Sequence, residues 1–238
     1  MSESTCCQRV RPTGWVSAEG LDAPTVPALF GAGLTLLPAR AIDSGSPRSG
    51  LLGRSAGRPQ GRQLDLPFTT FNEFEEYCLS TEKVRDSQIY AIVVDGHAVG
   101  MTAYMRINPD EGVIEVGRVF YTSRLQRTRA AAEALYLLAA NAFKLGYRRY
   151  EWKCDSCNLP SRYAATRYGF TFEGLFRQAV VYKGRNRDTT WFSIIDQDWN
   201  AGLKEAYERW LEPSNFDENG QQKLKLSELT APFVHATS

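Results

Sequence analysis

The stretch S-R-L-Q-R-T-R-A-A-A-E-A-L, Ser123 to Leu135, decides how the rest of the chain is read. A basic loop, Arg124 to Arg129, runs straight into a segment dense in alanine and leucine that continues to Lys144. Both residue types favour helix, so Arg129 to Lys144 predicts a long helix, with Lys144 in its last turn and Gly146 as its stop. The first turn of a helix has backbone N–H groups without intrahelical acceptors, and the helix dipole adds positive potential there. A basic loop opening such a helix is a candidate phosphate site.

Upstream, the pattern is that of strands. Ile89–Val94 is rich in β-branched residues, Asp95-Gly96 is a hairpin turn, and Val99–Ile107 returns. Asn108-Pro109-Asp110-Glu111-Gly112 makes a second turn, and Val113–Tyr121 is the third strand of an antiparallel meander. Before it, Thr70-Phe71-Asn72-Glu73 is a capping box that starts a helix reaching about Glu82. Downstream, Arg148–Cys154 reads as a strand. Pro160 sits in the first turn of a helix that runs to Tyr168 and is closed by Gly169. Phe172–Lys183 and Thr189–Asp196 form a last hairpin around the Gly184–Asp188 turn. Trp199–Trp210 reads as an amphipathic helix, and the tail after Glu212 as polar and loose.

With 238 residues, 43% of them hydrophobic, the chain has material for one core of roughly 150–200 residues. A net charge of +1 supplies no overall field to recruit nucleic acid or an anionic membrane. No apolar run approaches the ~20 residues that span a bilayer, and the start M-S-E-S-T-C-C-Q-R-V has no apolar signal core. Cys6, Cys7, Cys78, Cys154 and Cys157 are odd in number and lack framework spacing, which reads as reduced thiols in an intracellular protein. Gly45-Ser46-Pro47, Gly53-Arg54 and Gly57-Arg58-Pro59 break the chain too often for long elements. The expected organisation is an irregular, flexible segment 1–64, a compact domain 65–200, and a C-terminal helix with a polar tail over 201–238. The expected location is the cytoplasm. Arginine is frequent near the start, but Glu3, Glu19 and Asp22 count against a transit peptide, so organellar targeting stays open.

The order helix, meander, basic loop, long helix, strand, N-x-x-S helix, G-F and hairpin resembles the GNAT superfamily of N-acetyltransferases. The endings G-F-T-F-E-G-L-F-R and Y-K-G-R-N-R-D-T-T-W-F-S-I-I-D-Q-D-W resemble its branch of ribosomal-protein Nα-acetyltransferases. The resemblance covers about residues 66–200 and leaves the family's first strand and helix without a clean counterpart in 1–64. It implies an α+β fold: a mixed, mostly antiparallel sheet flanked by helices, here with an irregular N-terminal segment. It also implies acetyl-CoA as co-substrate, no metal, and direct transfer to an amine. The family's pyrophosphate loop, R/Q-x-x-G-x-G/A, falls on Gln126, Arg127, Thr128, Arg129, Ala130 and Ala131, with Arg129 where glycine is usual. Arginine there either shifts the loop or adds its own charge to the phosphates.

Glu115 is a lone carboxylate in the apolar run V-I-E-V-G-R-V-F and matches a glutamate of that branch. Burial raises a carboxyl pKa toward the range of a general base. The alternatives are pairing with Arg118 or Arg106, or exposure on one side of the sheet. Gly117 in the same strand marks a bulge or a close backbone approach, or is equally a glycine tolerated opposite a bulky neighbour. In the family this strand splays from its neighbour around the pantetheine arm, which implies a backbone N–H near Val119 or Phe120 on the thioester oxygen. The resemblance also implies Asn158 as a cofactor or turn residue and Ser161 as the acid for the departing thiolate. Tyr163 is the second candidate acid, because Ala165 stands where a tyrosine is usual. All three are equally read as ordinary residues of a capped helix. Cys154-Asp155-Ser156-Cys157 lacks the second ligand pair of a zinc site. Arg177 and the Arg185–Arg187–Asp188 turn form a charged cluster, read either as a substrate carboxylate contact or as a cross-hairpin ion pair.

The leading function is therefore acetyl transfer to an amine, either a small molecule or a protein N-terminus. An acyl-CoA-binding protein without turnover is the second reading, motivated by Arg129 and Ala165. A nucleic-acid module is the third, and the near-neutral charge speaks against it. Expected partners are acetyl-CoA and the amine, without nucleic acid or membrane; a homodimer is left open.

Overall fold

A computed structural model describes residues 28–32, 34–38, 76, 86–182 and 184–236. The strands are β1 (Leu29–Phe30), β2 (Thr35–Pro38), β3 (Gln88–Val94), β4 (His97–Asn108), β5 (Val113–Tyr121), β6 (Arg149–Asp155), β7 (Thr171–Tyr182) and β8 (Arg185–Ile195). They join in one sheet in the order β1-β2-β3-β4-β5-β6-β8-β7. Helix α1 (Arg129–Lys144) carries the chain from β5 to β6, the one parallel pair; every other neighbouring pair is antiparallel. A parallel pair needs such a crossover, and the alanine-rich stretch supplies it. Helix α2 (Leu159–Arg167) follows β6, and α3 (Lys204–Leu211) and α4 (Leu226–Thr230) follow the sheet.

Side chains alternate across the sheet, and the two faces differ in chemistry. Tyr104, Ile114, Val116, Tyr150 and Trp152 enter the core with Ala131, Leu135 and Leu138 of α1. Tyr104 Oη donates to the Leu138 carbonyl at 2.6 Å, which satisfies a buried phenol against the helix. The intervening residues Glu115, Glu151 and Lys153 belong to the opposite face and are buried as well.

The core elements form close to their expected bounds, with α1 and β5 on them residue for residue. The last hairpin turns more tightly than expected, since β8 already begins at Arg185. The helix expected from Thr70 lies outside the described residues, apart from Glu76, which is helical.

Three expectations need correction. The irregular reading of 1–64 fails at residues 29–38, where β1 and β2 extend the sheet and Leu36 pairs with Ile92. T-L-L-P is too short to show a period, yet Leu34 and Leu36 are buried. The hairpin is tied to α1: Glu133 Oε1 accepts the Ala32 N–H at 2.6 Å, and a Cβ on Gly31 would lie 2.5 Å from that oxygen. The helix expected over Trp199–Trp210 is interrupted by a π-helical stretch, Trp199–Leu203, in which Gly202 has φ 133°, so α3 starts only at Lys204. The tail after Glu212 is packed rather than loose. Asn215 is buried; its Nδ2 donates to the carbonyls of Trp210 and Leu224, and its Oδ1 accepts the Leu224 N–H. Thr230 Oγ1 donates to the Arg167 carbonyl, which fixes α4 against α2. The tail's composition is polar, but its few apolar residues and one buried amide do the anchoring.

Candidate active site

The β5–β6 pair holds together for four residues only, from Val113 with Arg149 to Val116 with Trp152. Beyond that point β5 continues to Tyr121 with ladder partners on its β4 side alone. The cause is local. Arg118 adopts φ 50°, and the β4–β5 register shifts between Met101 and Ala103, which is a bulge that bends the strand away. The two strands therefore form a V, and Val119 and Phe120 lie on the edge of β5 that faces it. Gly117 begins that edge. A Cβ there would lie 2.5 Å from Met105 Sδ, so a side chain at this residue would have to displace the methionine.

Glu115 stands just before the V and is buried. Its Oε2 accepts from Lys153 Nζ at 3.0 Å and lies 3.3 Å from Arg106 Nε. Its Oε1 is on the Gly117 side, 3.7 Å from where a Cβ on that glycine would stand. One oxygen is thus tied down and the other lies beside Gly117, where the V begins. Burial pushes the Glu115 carboxyl above its ordinary pKa, and the Lys153 and Arg106 charges pull it back in part.

Lys153 belongs to a wider chain of charge. Its Nζ also contacts Glu151 Oε2 at 2.6 Å and lies 3.7 Å from the centroid of the Trp191 ring. Arg149 pairs with Glu151 Oε1 at 2.8 Å and makes a bidentate contact with Glu173. Of the partners weighed for Glu115, Arg106 is present among these contacts and Arg118 is not. Glu151, Lys153 and Arg149 went unnoticed in the sequence. The available signal was E-W-K in a strand otherwise built for burial, since alternate charges there need partners on the neighbouring strands.

At the other side of the V, Asn158 caps α2 by accepting the Ser161 N–H on Oδ1 at 3.2 Å. Ser161 Oγ accepts from Trp152 Nε1 at 3.0 Å, and Trp152 is the residue at which the β5–β6 ladder ends. That bond uses a lone pair of the hydroxyl and leaves its proton available to donate. Tyr163 is 73% exposed and makes none of the site's hydrogen bonds among the described residues. Ala165 is fully buried in the core.

The loop before α1 is tightly folded. Thr122 Oγ1 donates to the Val99 carbonyl, and the N–H groups of Leu125 and Gln126 return to the Thr122 carbonyl. Gln126 Nε2 donates to the Tyr121 carbonyl at 2.8 Å, and Arg127 takes φ 62°. Thr128 is the N-cap, accepting the Ala131 N–H on Oγ1 at 3.2 Å. The N–H groups of Arg127, Arg129 and Ala130 have no acceptor among the described residues. Arg129 turns its guanidinium over the Phe216 ring, 5.5 Å from the centroid, so its bulk is accommodated by the C-terminal segment.

Among the described residues no three His, Cys, Asp or Glu side chains are grouped to hold a metal ion, and no helix is long and apolar enough to cross a membrane. Cys154 is buried and Cys157 exposed, and both are free thiols.

Residues 58–170 match the model of the acetyltransferase (GNAT) family. A GCN5-related N-acetyltransferase from Brucella melitensis is 39% identical; the match covers 87% of this chain and 96% of that one, with a TM-score of 0.72. The chain belongs to the GNAT family. A second GNAT-family structure, from Chromobacterium violaceum, is 37% identical over 73% of this chain and 93% of its own, with a TM-score of 0.60. RimL, a ribosomal alpha-N-protein acetyltransferase in complex with coenzyme A, shares the fold at 20% identity, with 71% of this chain and 98% of that chain covered and a TM-score of 0.57. No curated protein matches the chain. As a GNAT protein it is an acyltransferase, and its sheet has the mostly antiparallel order that the resemblance implied.

Proposed function

We propose that the protein moves the acetyl group of acetyl-CoA to an amine by direct attack in a ternary complex, the acceptor being a small molecule or a protein N-terminus. The observation that carries this reading is the V between β5 and β6, with the capped α1 loop at its open end and Glu115 Oε1 beside its closed end. The residues fit the co-substrate. Open N–H groups at Arg127, Arg129 and Ala130 suit a pyrophosphate, with the Arg127 and Arg129 side chains adding charge. The V suits an extended pantetheine arm, and Asn158 shapes its far wall by holding the start of α2.

Bound acetyl-CoA supplies an activated acyl carbon. Glu115 Oε1 takes a proton from the incoming ammonium through one water, and the freed amine attacks the thioester carbon. A backbone N–H at Val119 or Phe120 holds the negative charge that develops on the carbonyl oxygen. As the carbon–sulfur bond breaks, Ser161 gives its proton to the sulfur; the second proton that the attacking nitrogen sheds on becoming an amide restores the Ser161 hydroxyl through water, and Glu115 returns its own proton to solvent. Of the two candidate acids Ser161 is favoured, because Tyr163 is exposed to solvent.

The test is thiol release from acetyl-CoA with a panel of small amines and peptides, each product being identified by mass. Amine-stimulated release with an acetylated product supports transfer. Saturable acetyl-CoA binding without release for any acceptor supports the reading as a binding protein instead.

A further inference from the structure

On β8, alternation puts Arg187, Thr189, Trp191 and Ser193 on the sheet face that carries Glu115 and Lys153. The register fixes this: Ser193 pairs with Glu151, Trp191 with Lys153 and Thr189 with Asp155. Two neighbours in that row have unanswered polar atoms. Thr189 is only 6% exposed, and its Oγ1 has no hydrogen-bond partner among the described residues. Arg187 Nε is also buried and without a partner among the described residues. Buried hydroxyls and guanidinium N–H groups are as a rule paired, and an orphan calls for an explanation.

Their surroundings point to one kind of ligand. Asp188, the nearest carboxylate in sequence, is committed elsewhere: its Oδ1 accepts the Gln178 N–H at 2.7 Å and Asn186 Nδ2 at 2.9 Å. Gln178 has φ 51°, and the β7–β8 register slips between Phe176 and Val180, so the edge strand bulges beside Arg187. Asp155, opposite Thr189, accepts the Cys157 N–H on Oδ1 at 2.9 Å. Phe176 stacks on Trp191 with centroids 4.6 Å apart and is half exposed, which makes an aromatic wall open to solvent. A cationic N–H donor, a hydroxyl donor and a flat apolar wall together match a carboxylate on an organic acceptor.

We infer that Arg187 and Thr189 form an acceptor subsite that takes a carboxylate of the molecule being acetylated. This rests on the transfer reading above and narrows its substrate class to amines that carry an acid group. β8 lies two strands from β5, so at about 4.8 Å per strand the carboxylate sits at least roughly 10 Å from the edge where the amine reacts, and farther where β5 and β6 splay. Spanning that separation takes about three extended residues or more. An acidic side chain near a peptide N-terminus provides it, and so does a straight-chain ω-amino acid.

The experiment measures equilibrium binding in the presence of saturating coenzyme A, so that it does not depend on turnover. One pair of probes is Ala-Ala-Glu-Ala amide against Ala-Ala-Gln-Ala amide; the other is 8-aminooctanoate against its amide. Wild-type protein should favour the acid at least ~10-fold in one pair, and the pair that shows it identifies the source of the carboxylate. Arg187→Gln should abolish the preference and Thr189→Val should reduce it, with binding of coenzyme A unchanged in both. If Arg187→Gln fails to fold, the Thr189→Val comparison decides. No preference in wild-type, with ordered water alone satisfying Thr189 Oγ1 and Arg187 Nε, overturns the inference, as does a preference that survives both substitutions. An acid preference in binding with no acetylation of any acceptor would sink the transfer reading and leave the subsite standing.

Discussion

Lys153 donates to Glu115 Oε2 at 3.0 Å, with both side chains less than a tenth exposed. The same ammonium holds Glu151 Oε2, and Glu115 and Glu151 are register partners on adjacent parallel strands. Two buried carboxylates so close cannot both stay ionised without a cation between them. Arg106 and Arg149 sit at the ends of the pair and cannot replace the central charge. Lys153 therefore acts as a positioning residue: it fixes Oε2 and leaves Oε1 toward Gly117.

Removing Lys153 has two separable consequences. Lys153→Met leaves two facing carboxylates uncompensated, and breaking a buried pair from one side costs ~3–5 kcal/mol. Chemical denaturation should show that loss, and adding Glu151→Gln should recover part of it. The second consequence is on pH. Lys153 lowers the Glu115 pKa, so its removal should move the acidic limb of kcat/KM to higher pH. An unmoved limb in an otherwise folded variant would leave Lys153 a purely structural role.

Glu115 itself should govern that limb. Burial raises its pKa, so the ionised base is lost as pH falls through a value above the ordinary carboxylate range. The wild-type rate should decline there. Glu115→Gln should lower kcat by ~10²-fold, the low end for loss of a general base, and should flatten the decline. Affinity for acetyl-CoA should change little. Wild-type turnover in the variant would move the base elsewhere.

Ser161 and Tyr163 lie in the same short helix and should behave in opposite ways. Ser161→Ala removes the hydroxyl that accepts from Trp152 Nε1, next to the end of the β5–β6 ladder. It should lower kcat, and most strongly for acyl donors whose thiol is a poor leaving group. Tyr163→Phe should leave kcat within the error of measurement, because the phenol is exposed. Equal losses in the two variants would argue for a general disturbance of α2 rather than proton delivery.

Arg127→Ala with Arg129→Ala should weaken binding of coenzyme A and leave a pantetheine thioester nearly unaffected. The reason is that both residues belong to a loop whose N–H groups suit phosphate, and the truncated donor has no nucleotide phosphates. Calorimetry with the two ligands measures the difference. Equal weakening of both would remove the phosphate role.

How much of this could be read beforehand depended on sequence distance. The helix Arg129–Lys144 and the strand Val113–Tyr121 announce themselves through propensity and turns that act over a few residues. Glu115 stood out for the same reason, as a charge in an apolar run. Its partner Lys153 is 38 residues away, and only the parallel register of β5 and β6 brings the two together. The strand Thr35–Pro38 was hidden by its brevity, because four residues next to a Gly- and Pro-rich stretch have no period to detect. Asn215 looks like any loop amide until the carbonyls of Trp210 and Leu224 converge on it.

The C-terminal segment gives the clearest stability test. A loose tail could be removed without effect, whereas this one closes the core beside the α1 loop. Ending the chain after Glu212 removes Phe216 from beneath Arg129 and from its edge contact with Trp210, at 5.1 Å between centroids. It also removes the acceptor of the Trp210 indole N–H, Gln222 Oε1, and Thr230, whose hydroxyl ties the segment to the Arg167 carbonyl. Leu226, fully buried in the core, goes with it. Deleting one large buried apolar side chain already costs ~2–5 kcal/mol, so the truncated chain should melt far below the full-length protein or fail to fold. The milder variant Leu226→Ala should show a loss in that same range. Asn215→Leu should cost at least ~1 kcal/mol, because the Leu224 N–H and the Trp210 carbonyl lose their partner. Phe216→Ala should lower stability less but should also weaken coenzyme A binding, since Arg129 then loses the ring that places its guanidinium. A truncated chain with full-length stability and cofactor affinity would restore the reading of a loose tail.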